Sequence, residues 1–377
     1  MIKKQLYILG VLLCVMLSGS SQAETAQPID AATRSEIIDG LSQKLLAHYI
    51  FLDQAHAMAT AIHDRQQRGE YDNITDGQAF ADILNENLQD VAHDKHLEVV
   101  YSITAIPVRT LENRIEADAK ARAAAPKKVL KSIKWEACRP GNVEYFYFGS
   151  TECLPGNIGY LVLRGFVPKD IADPFVAAAM NRLANTHALI IDLRENGGGD
   201  SDTVSLLSSY FFDHPVQLDD FYTRETDTTE HNWTSMKVAG KKYGQKKDIY
   251  ILTSSHSFSA AEGFSYDMQA YKRATLIGET TKGGAHPISI LRLGDHFEAR
   301  IPFANSINPV TKENWEGVGV KPDIAVQEYD ALFVAQVLEL RKIMKSERNA
   351  KRLAQLRSHV QELQDQMGGR ESIEASR

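Results

Sequence analysis

Residues 248–262 read Asp248-Ile-Tyr-Ile-Leu-Thr253-Ser-Ser-His-Ser-Phe-Ser259-Ala-Ala-Glu262, and they join a buried strand to a helix. The apolar run at 248–253 is typical of a strand that is covered on both faces of a sheet. A second such run occupies residues 188–193, and strand patterns recur at 158–163 and 274–278. Helical patterns at 175–183 and from Ser259 to about Tyr271 alternate with these strands. Strands and helices in alternation predict an α/β domain.

Ser259 stands where the predicted helix begins. The first N–H groups of a helix lack intrahelical partners, and the helix dipole favours negative charge there. An oxyanion that forms at Ser259 could therefore accept a hydrogen bond from the Ala260 N–H. The alternative is that Ser259 is only an N-cap, the commonest task of a serine before a helix.

A run of three glycines follows the other buried strand, in the sequence Ile191-Asp-Leu-Arg-Glu-Asn-Gly197-Gly198-Gly199. Glycines let the backbone approach a ligand closely, so Gly197 or Gly198 could donate a second N–H to the oxyanion. The alternatives are a tight turn or a phosphate loop. The spacings typical of nucleotide-binding loops are absent, which makes nucleotide binding a poor interpretation.

A nucleophilic serine needs a base, and histidine has a suitable unperturbed pKa. His96 is the candidate, and His256 and His286 are its rivals. Glu316 could orient such a histidine, although an acid in a solvated turn is the more common situation. We find no His/Cys cluster with metal-ligand spacing, so the sequence predicts neither a metal nor a cofactor.

Helical patterns flank the α/β region on both sides. Residues 33–92 predict about three helices, with a capping box at residues 75–78. A linker is expected at 103–134. From Tyr329 onward an apolar stripe recurs at gaps of three and four residues, so this tail either docks on the body or supports a homo-oligomer. The stripe consists of Leu353, Leu356, Val360, Leu363 and Met367.

The first 23 residues predict a cleaved signal peptide, because two lysines precede an apolar run too short for a membrane span. We therefore expect a periplasmic or secreted protein without a membrane span after cleavage. Of three cysteines, Cys138 and Cys153 would remain, and they could form one disulfide or stay unpaired. The net charge of −7 disfavours nucleic acid as a partner.

Together these segments resemble peptidase family S41, the tail-specific proteases. Ser-Ala-Ala-Glu at 259–262, residues 278–281 and the glycine loop match in order and spacing over roughly residues 33–325. The lysine of the Ser-Lys branch is missing, because Gly284 occupies its position. The central PDZ module also lacks room. The sequence is more similar to the branch of the tricorn core and the interphotoreceptor retinoid-binding protein.

The resemblance implies a ClpP/crotonase-like spiral of ββα units that follows a small N-terminal helical bundle and precedes a C-terminal helix. It implies Ser259 as nucleophile, His96 as base and Glu316 as its orienting group, directly or through another polar side chain. Peptides or unfolded proteins would be the substrates. A non-catalytic binder of apolar small molecules and a scaffold that uses the C-terminal helix are alternatives. The expected segments are 1–23 (signal), 30–102 (helical), 103–134 (linker), 135–328 (catalytic) and 329–377 (tail).

Overall fold

The computed structural model describes residues 28–108, 143–145 and 149–374. The helices within them are α1 (Ala31–His48), α2 (Leu52–Gln67), α3 (Gly77–Ala92), α4 (Lys169–Leu183), α5 (Ser201–Ser208), α6 (Ala260–Ala270), α7 (Glu328–Ser346) and α8 (Ala350–Glu374). The strands are β1 (Glu98–Tyr101), β2 (Val143–Tyr145), β3 (Gly149–Leu154), β4 (Ile158–Leu163), β5 (Ala188–Asp192), β6 (Gln217–Thr223), β7 (Thr228–Trp233), β8 (Asp248–Thr253), β9 (Thr275–Gly278), β10 (Ile288–Arg292), β11 (Phe297–Pro302), β12 (Ala304–Ile307) and β13 (Ile324–Ala325).

The main sheet has the order β13-β9-β8-β5-β4-β3-β2. In this sheet, strands β13, β9, β8, β5 and β4 run parallel to one another. Strand β3 pairs antiparallel with β4, and β2 pairs antiparallel with β3. On β5, Leu189 and Ile191 pack in the core beneath α4, α5 and α6. Ala188 and Ile190 point the other way and pack against α7 and α8. Because successive side chains of a strand alternate between faces, a strand covered on both must be apolar throughout. The α/β prediction is confirmed.

The N-terminal helices form the predicted helical region. The apolar faces of these helices share a core with β1 and β11. The two strands pair antiparallel, and Glu98 of β1 lies opposite Arg300 of β11, which is 202 residues later in the chain. The cap of α3 differs from the prediction. Asp76, not Thr75, is the N-cap, and its carboxylate accepts a hydrogen bond from the Ala79 N–H at 2.8 Å. The predicted capping box is therefore wrong, since Asp76 is the N-cap and Ala79, the third residue of the helix, has no side chain that could complete a box.

The C-terminal helices cover one face of the main sheet. Leu356, Val360 and Leu363 of α8 are buried against this face and α7. Of the two alternatives for the apolar stripe, docking on the body is therefore the one that the structure shows. No helix among the described residues is both long and apolar enough to cross a membrane. The predicted signal peptide (1–23), Cys138 and most of the predicted linker lie outside the described residues.

Candidate active site

Ser259 occupies a strained turn between β8 and α6. It is the N-cap of α6 and has φ 54° and ψ −122°, a region that residues with a side chain rarely adopt. Its N–H donates a hydrogen bond to the carboxylate of Glu262 at 2.8 Å. The turn holds Ser259 directly before the first N–H groups of the helix, where an oxyanion could be stabilised.

Glu262 connects the start of α6 to the loop after β9. It is fully buried, and its two carboxylate oxygens accept hydrogen bonds from the N–H groups of Ser259, Gly283 and Gly284 and from the Thr281 hydroxyl. Burial raises its pKa, and these hydrogen bonds oppose that shift. The sequence motif included Glu262 without a role, whereas the structure shows that it fixes the backbone around Ser259.

The glycine loop lies against Ser259. Gly198 has φ 99°, and a Cβ there would come within 2.7 Å of the Ser259 Cβ and 2.9 Å of the Ala260 nitrogen. Its N–H donates to the Asn196 side chain at 2.8 Å. At Gly197 an added Cβ would meet nothing within 4 Å. Position 198 therefore requires glycine, because the backbone there lies too close to Ser259 and Ala260 for a side chain. The Gly198 N–H is already hydrogen-bonded to Asn196, so the Gly197 N–H is the better candidate donor to an oxyanion.

For a reaction that passes through an oxyanion at Ser259, Gly198→Ala should lower kcat on the order of 10²–10³-fold, because its methyl group would occupy the space beside the Ala260 N–H. Gly40→Ala on α1 is the control, since its methyl group would come no closer than 3.9 Å to another atom and Gly40 does not line the cavity. Steady-state kinetics and thermal unfolding of both variants check this. Equal activity of the two variants would contradict the close approach.

His96 lies at the end of the helical region and is 8% exposed. Its ring stacks on Phe258, with ring centroids 4.3 Å apart. Its Nδ1 is buried without a hydrogen-bond partner. Burial lowers its pKa to about 4, although the charge of Asp94 opposes this, so the imidazole is neutral near pH 7. His96 and Ser259 line one cavity of about 880 Å³, but no hydrogen bond joins them in this structure.

His286 lines the same cavity and is 4% exposed. Its Nδ1 lies 2.8 Å from Asp94 Oδ2 and 3.6 Å from Glu316 Oε2. Asp94 Oδ1 accepts a hydrogen bond from the backbone N–H of His96 at 3.0 Å. Burial alone would lower the pKa of His286, but the hydrogen bond and charge of Asp94 raise it above the usual value. Asp94, which sequence reasoning missed, thus contacts both histidines.

Glu316 lies beside His286 and accepts a hydrogen bond from the Ala285 N–H at 2.5 Å. Its Oε1 is buried without a partner, and burial raises its pKa. Donor atoms of Glu316, Asp94 and His286 lie within 4.8 Å of one another and are the ones at this site that could hold a metal ion. The 2.8 Å between His286 Nδ1 and Asp94 Oδ2 is an ordinary hydrogen-bond distance, so this contact needs no metal ion to explain it. His256 is exposed and does not line the cavity.

Two family models match successive parts of the chain. Residues 157–326 match the model described as peptidase family S41. Residues 26–133 match the model described as the N-terminal domain of peptidase S41 in eukaryotic IRBP. Between them they include Ser259, His96, His286 and Glu316.

Curated relatives match shorter stretches. A carboxy-terminal-processing protease of Bartonella bacilliformis is 26% identical over 184 residues, which is 46% of this chain and 40% of the relative. A tail-specific protease of Haemophilus influenzae is 34% identical over 102 residues, which is 26% of this chain and 13% of the relative. The matched part of this chain thus spans less than half the length of these relatives.

Solved structures share the fold. A Parabacteroides merdae protein solved as a candidate peptidase superposes with a TM-score of 0.52 at 19% identity, covering 78% of this chain and 90% of its own. A Streptococcus agalactiae lipoprotein superposes with a TM-score of 0.50 at 13% identity, covering 81% and 95%. These structures show the fold alone. The two family models both describe peptidase family S41 and together span residues 26–133 and 157–326, and they identify the chain as a member of that family.

Proposed function

We propose that this protein is an exported serine peptidase that hydrolyses peptide bonds through Ser259, His96 and Glu316. The observation that carries the proposal is the strained Ser259 turn, which faces the glycine loop and shares one cavity with a neutral, buried histidine. The nucleophile belongs to the α/β region and the base follows the helical region, and both line one cavity, as expected for a cleft between two parts of a protein. The protease relatives support a peptide as the substrate.

In the first half of the reaction, the Ser259 oxygen forms a bond to the carbonyl carbon while His96 takes the hydroxyl proton. The carbonyl electron pair moves to oxygen, and the Ala260 N–H together with the Gly197 N–H stabilises the oxyanion. When the C–N bond breaks, His96 gives the proton to the leaving amine. In the second half, His96 takes a proton from water as the water oxygen bonds to the acyl carbon. The bond between that carbon and the Ser259 oxygen then breaks, the acid product leaves, and His96 returns the proton to the Ser259 oxygen.

His96 suits the role of base better than His286. A base must be neutral before the reaction, and burial keeps His96 neutral near pH 7. His286 is stabilised as a cation by Asp94 and is engaged through its Nδ1. Glu316 would act on His96 indirectly, through His286 and Asp94, since Asp94 holds the backbone of His96. We assign Glu316, Asp94 and His286 as positioning residues.

The pH dependence of kcat/KM should follow the lowered pKa of His96. Protonated His96 cannot accept the Ser259 proton, so activity is lost as the pH falls through the pKa. Since this pKa is about 4, kcat/KM should decrease when the pH is lowered below that value, and it should be constant between that value and neutrality. Initial rates under non-saturating substrate between pH 3 and about 7 check this. An inflection at the ordinary histidine value near 6.5 would contradict a buried base.

A fluorophosphonate tests the proposed function directly, because it reacts with an activated serine without requiring a particular peptide. Wild type should gain the mass of one phosphonyl group, and Ser259→Ala should not. If the wild-type protein never reacts while another serine hydrolase does under the same conditions, the proposed peptidase activity is contradicted. Equal affinity of wild type and Ser259→Ala for an apolar ligand would then favour the binding protein instead.

The proposal also includes export of the protein, the limits of its segments and a disulfide within the chain. The signal pattern at 1–23 supports a periplasmic or secreted location, and a disulfide between Cys138 and Cys153 would fit an oxidising compartment. The catalytic segment would extend from 135 to 328 and the helical segment from 30 to 102. Comparison of the intact mass under reducing and non-reducing conditions, after thiol alkylation, tests the disulfide.

A further inference from the structure

The turn between β6 and β7 reaches the C-terminal end of α1. Arg224 is the first residue of this turn and is half-buried. Its guanidinium donates three hydrogen bonds of 2.9 Å each, to the backbone carbonyls of Leu46, Ala47 and Tyr49. Arg224 and Tyr49 are 175 residues apart in the chain. These hydrogen bonds therefore join the α/β region to the helical region.

The end of α1 needs such a partner. The last carbonyls of a helix have no donor within the helix, and in α1 the Tyr49 N–H satisfies the carbonyl of Leu45 at 2.9 Å. The next carbonyls depend on donors from elsewhere. The guanidinium of Arg224 presents several donors in one plane and carries the positive charge that a helix C-terminus favours. Arg224 thus caps α1 from a different region of the chain.

Tyr49 extends from this capped end to the candidate active site. It is 1% exposed, and its hydroxyl oxygen lies 3.3 Å from Asp94 Oδ2 and 3.2 Å from Gln54 Oε1. Burial raises the pKa of Asp94, but the hydrogen bond and charge of His286 outweigh this and lower it, so Asp94 is ionised. A hydroxyl has one proton, and its hydrogen bond to a charged acceptor is the stronger one. The Tyr49 hydroxyl therefore donates to Asp94.

The backbone of Tyr49 is held on both sides of its peptide bond to Ile50. Arg224 donates to the Tyr49 carbonyl, and the Ile50 N–H donates to the carbonyl of Pro302 at 3.0 Å. At 3.3 Å the hydrogen bond from Tyr49 to Asp94 is long, so a small displacement of Tyr49 would break it. The hydrogen bonds of Arg224 oppose such a displacement.

We propose that Arg224 and Tyr49 are positioning residues for the peptidase reaction, and that both act through Asp94. The inference rests on the proposed peptidase function. Neither Arg224 nor Tyr49 lines the cavity. Asp94 contacts His286 through Oδ2 and accepts the backbone N–H of His96 through Oδ1 at 3.0 Å. An error of about 1 Å in the placement of a catalytic group can lower the rate on the order of 10²-fold.

The alternative is that Arg224 stabilises the fold by capping α1 and does nothing else. Such a role would lower the unfolding temperature of a variant without changing the chemistry of its folded state. Arg34 supplies the comparison. It does not line the cavity, and within the helical region its guanidinium also donates to three backbone carbonyls, those of Ile29, Asp72 and Ile74.

Arg224→Met and Arg34→Met each replace a guanidinium by an unbranched side chain that donates no hydrogen bond. Both variants should unfold at a lower temperature than wild type. Arg224→Met alone should react more slowly with a small alkyl fluorophosphonate, on the order of 10–10²-fold in the second-order rate constant, because activation of Ser259 requires a correctly placed base. Arg34→Met should react at the wild-type rate.

Tyr49→Phe is the milder variant, since it removes a single hydroxyl group. It should slow the same reaction by a similar factor. Tyr71→Phe is its matched control, because Tyr71 is also buried in the helical region and donates its hydroxyl to Asn87 at 2.7 Å. The double variant of Arg224→Met and Tyr49→Phe should agree with the slower single variant within about 2-fold, because both changes act through one hydrogen bond.

A second measurement does not depend on activity. Burial lowers the pKa of His286, but its contact with Asp94 outweighs this and raises it. If Asp94 is displaced, this pKa should fall in Arg224→Met and in Tyr49→Phe, and it should be unchanged in both controls. An NMR titration of the imidazole signals measures it, and His286→Gln identifies the signal. A rise would mean that Asp94 stays in place, which would overturn the positioning role.

The outcomes separate this inference from the proposed function. If Arg224→Met and Tyr49→Phe react with the fluorophosphonate at the wild-type rate, the positioning role is overturned and the peptidase proposal stands. If wild type does not react, the peptidase proposal is overturned, and the positioning role falls with it. If Arg224→Met fails to fold, Tyr49→Phe and Tyr71→Phe decide the question.

Discussion

Ser259→Ala should lower kcat for peptide hydrolysis by roughly 10⁶-fold, the loss found when the nucleophile is removed from a catalytic system of this type. The covalent step requires the Ser259 oxygen, and the remaining oxyanion donors can only assist attack by water. Binding of the peptide should remain close to that of wild type, because the cavity is unchanged. Turnover of a quenched peptide at high enzyme concentration, beside a direct binding measurement, checks both expectations.

The strained backbone supplies a control for this experiment. Ser259 has φ 54°, so Ser259→Gly should also be inactive but should unfold at a higher temperature than Ser259→Ala. Glycine adopts positive φ without steric cost, and strain of this kind costs about 1–3 kcal/mol. Retention of more than a small fraction of activity in either variant would contradict Ser259 as the nucleophile.

His96→Gln should lower kcat on the order of 10⁴–10⁶-fold, because the Ser259 proton then has no acceptor. His286→Gln should cost about 10²-fold, since it disturbs only the position of Asp94 and His96. In both variants glutamine keeps a polar side chain at the position while it removes the titrating ring. The measurement is kcat for the same peptide, together with the pH profile of each variant.

The pH profile distinguishes a base from a positioning residue. His286→Gln should keep the inflection near pH 4 that belongs to His96, with a reduced plateau. His96→Gln should lose the inflection. If His286→Gln were the more damaging variant and removed the inflection, His286 would be the base and the assignment above would be wrong.

Much of the fold could be predicted from local sequence patterns. The strands expected at 158–163 and 248–253 coincide with β4 and β8, and the helix expected from Ser259 coincides with α6. Short apolar runs indicate strands covered on both faces, and this signal needs only neighbouring residues. The cap of α3 was misplaced because Thr75 and Asp76 can both serve as caps, and the backbone geometry selects between them.

The surroundings of the site could not be predicted in this way. His286 and Asp94 are hydrogen-bonded although 192 residues separate them in the chain, and Asp219 meets Ser306 across 87 residues. No local pattern records such contacts. Glu316, expected to orient His96 directly or through another polar side chain, lies against His286. Asp94 carried no motif that would have singled it out.

The strand-to-helix junction with its serine, and the glycine loop after a buried strand, follow from the order of residues, because apolar runs and glycines constrain the backbone locally. The different pKa values of the two histidines do not follow from the order of residues. His96 and His286 have the same intrinsic chemistry, yet burial lowers the pKa of one to about 4, while contact with Asp94 raises the pKa of the other. Burial and long-range charge exist only after the chain has packed, so only the tertiary structure gives the two histidines different affinities for a proton.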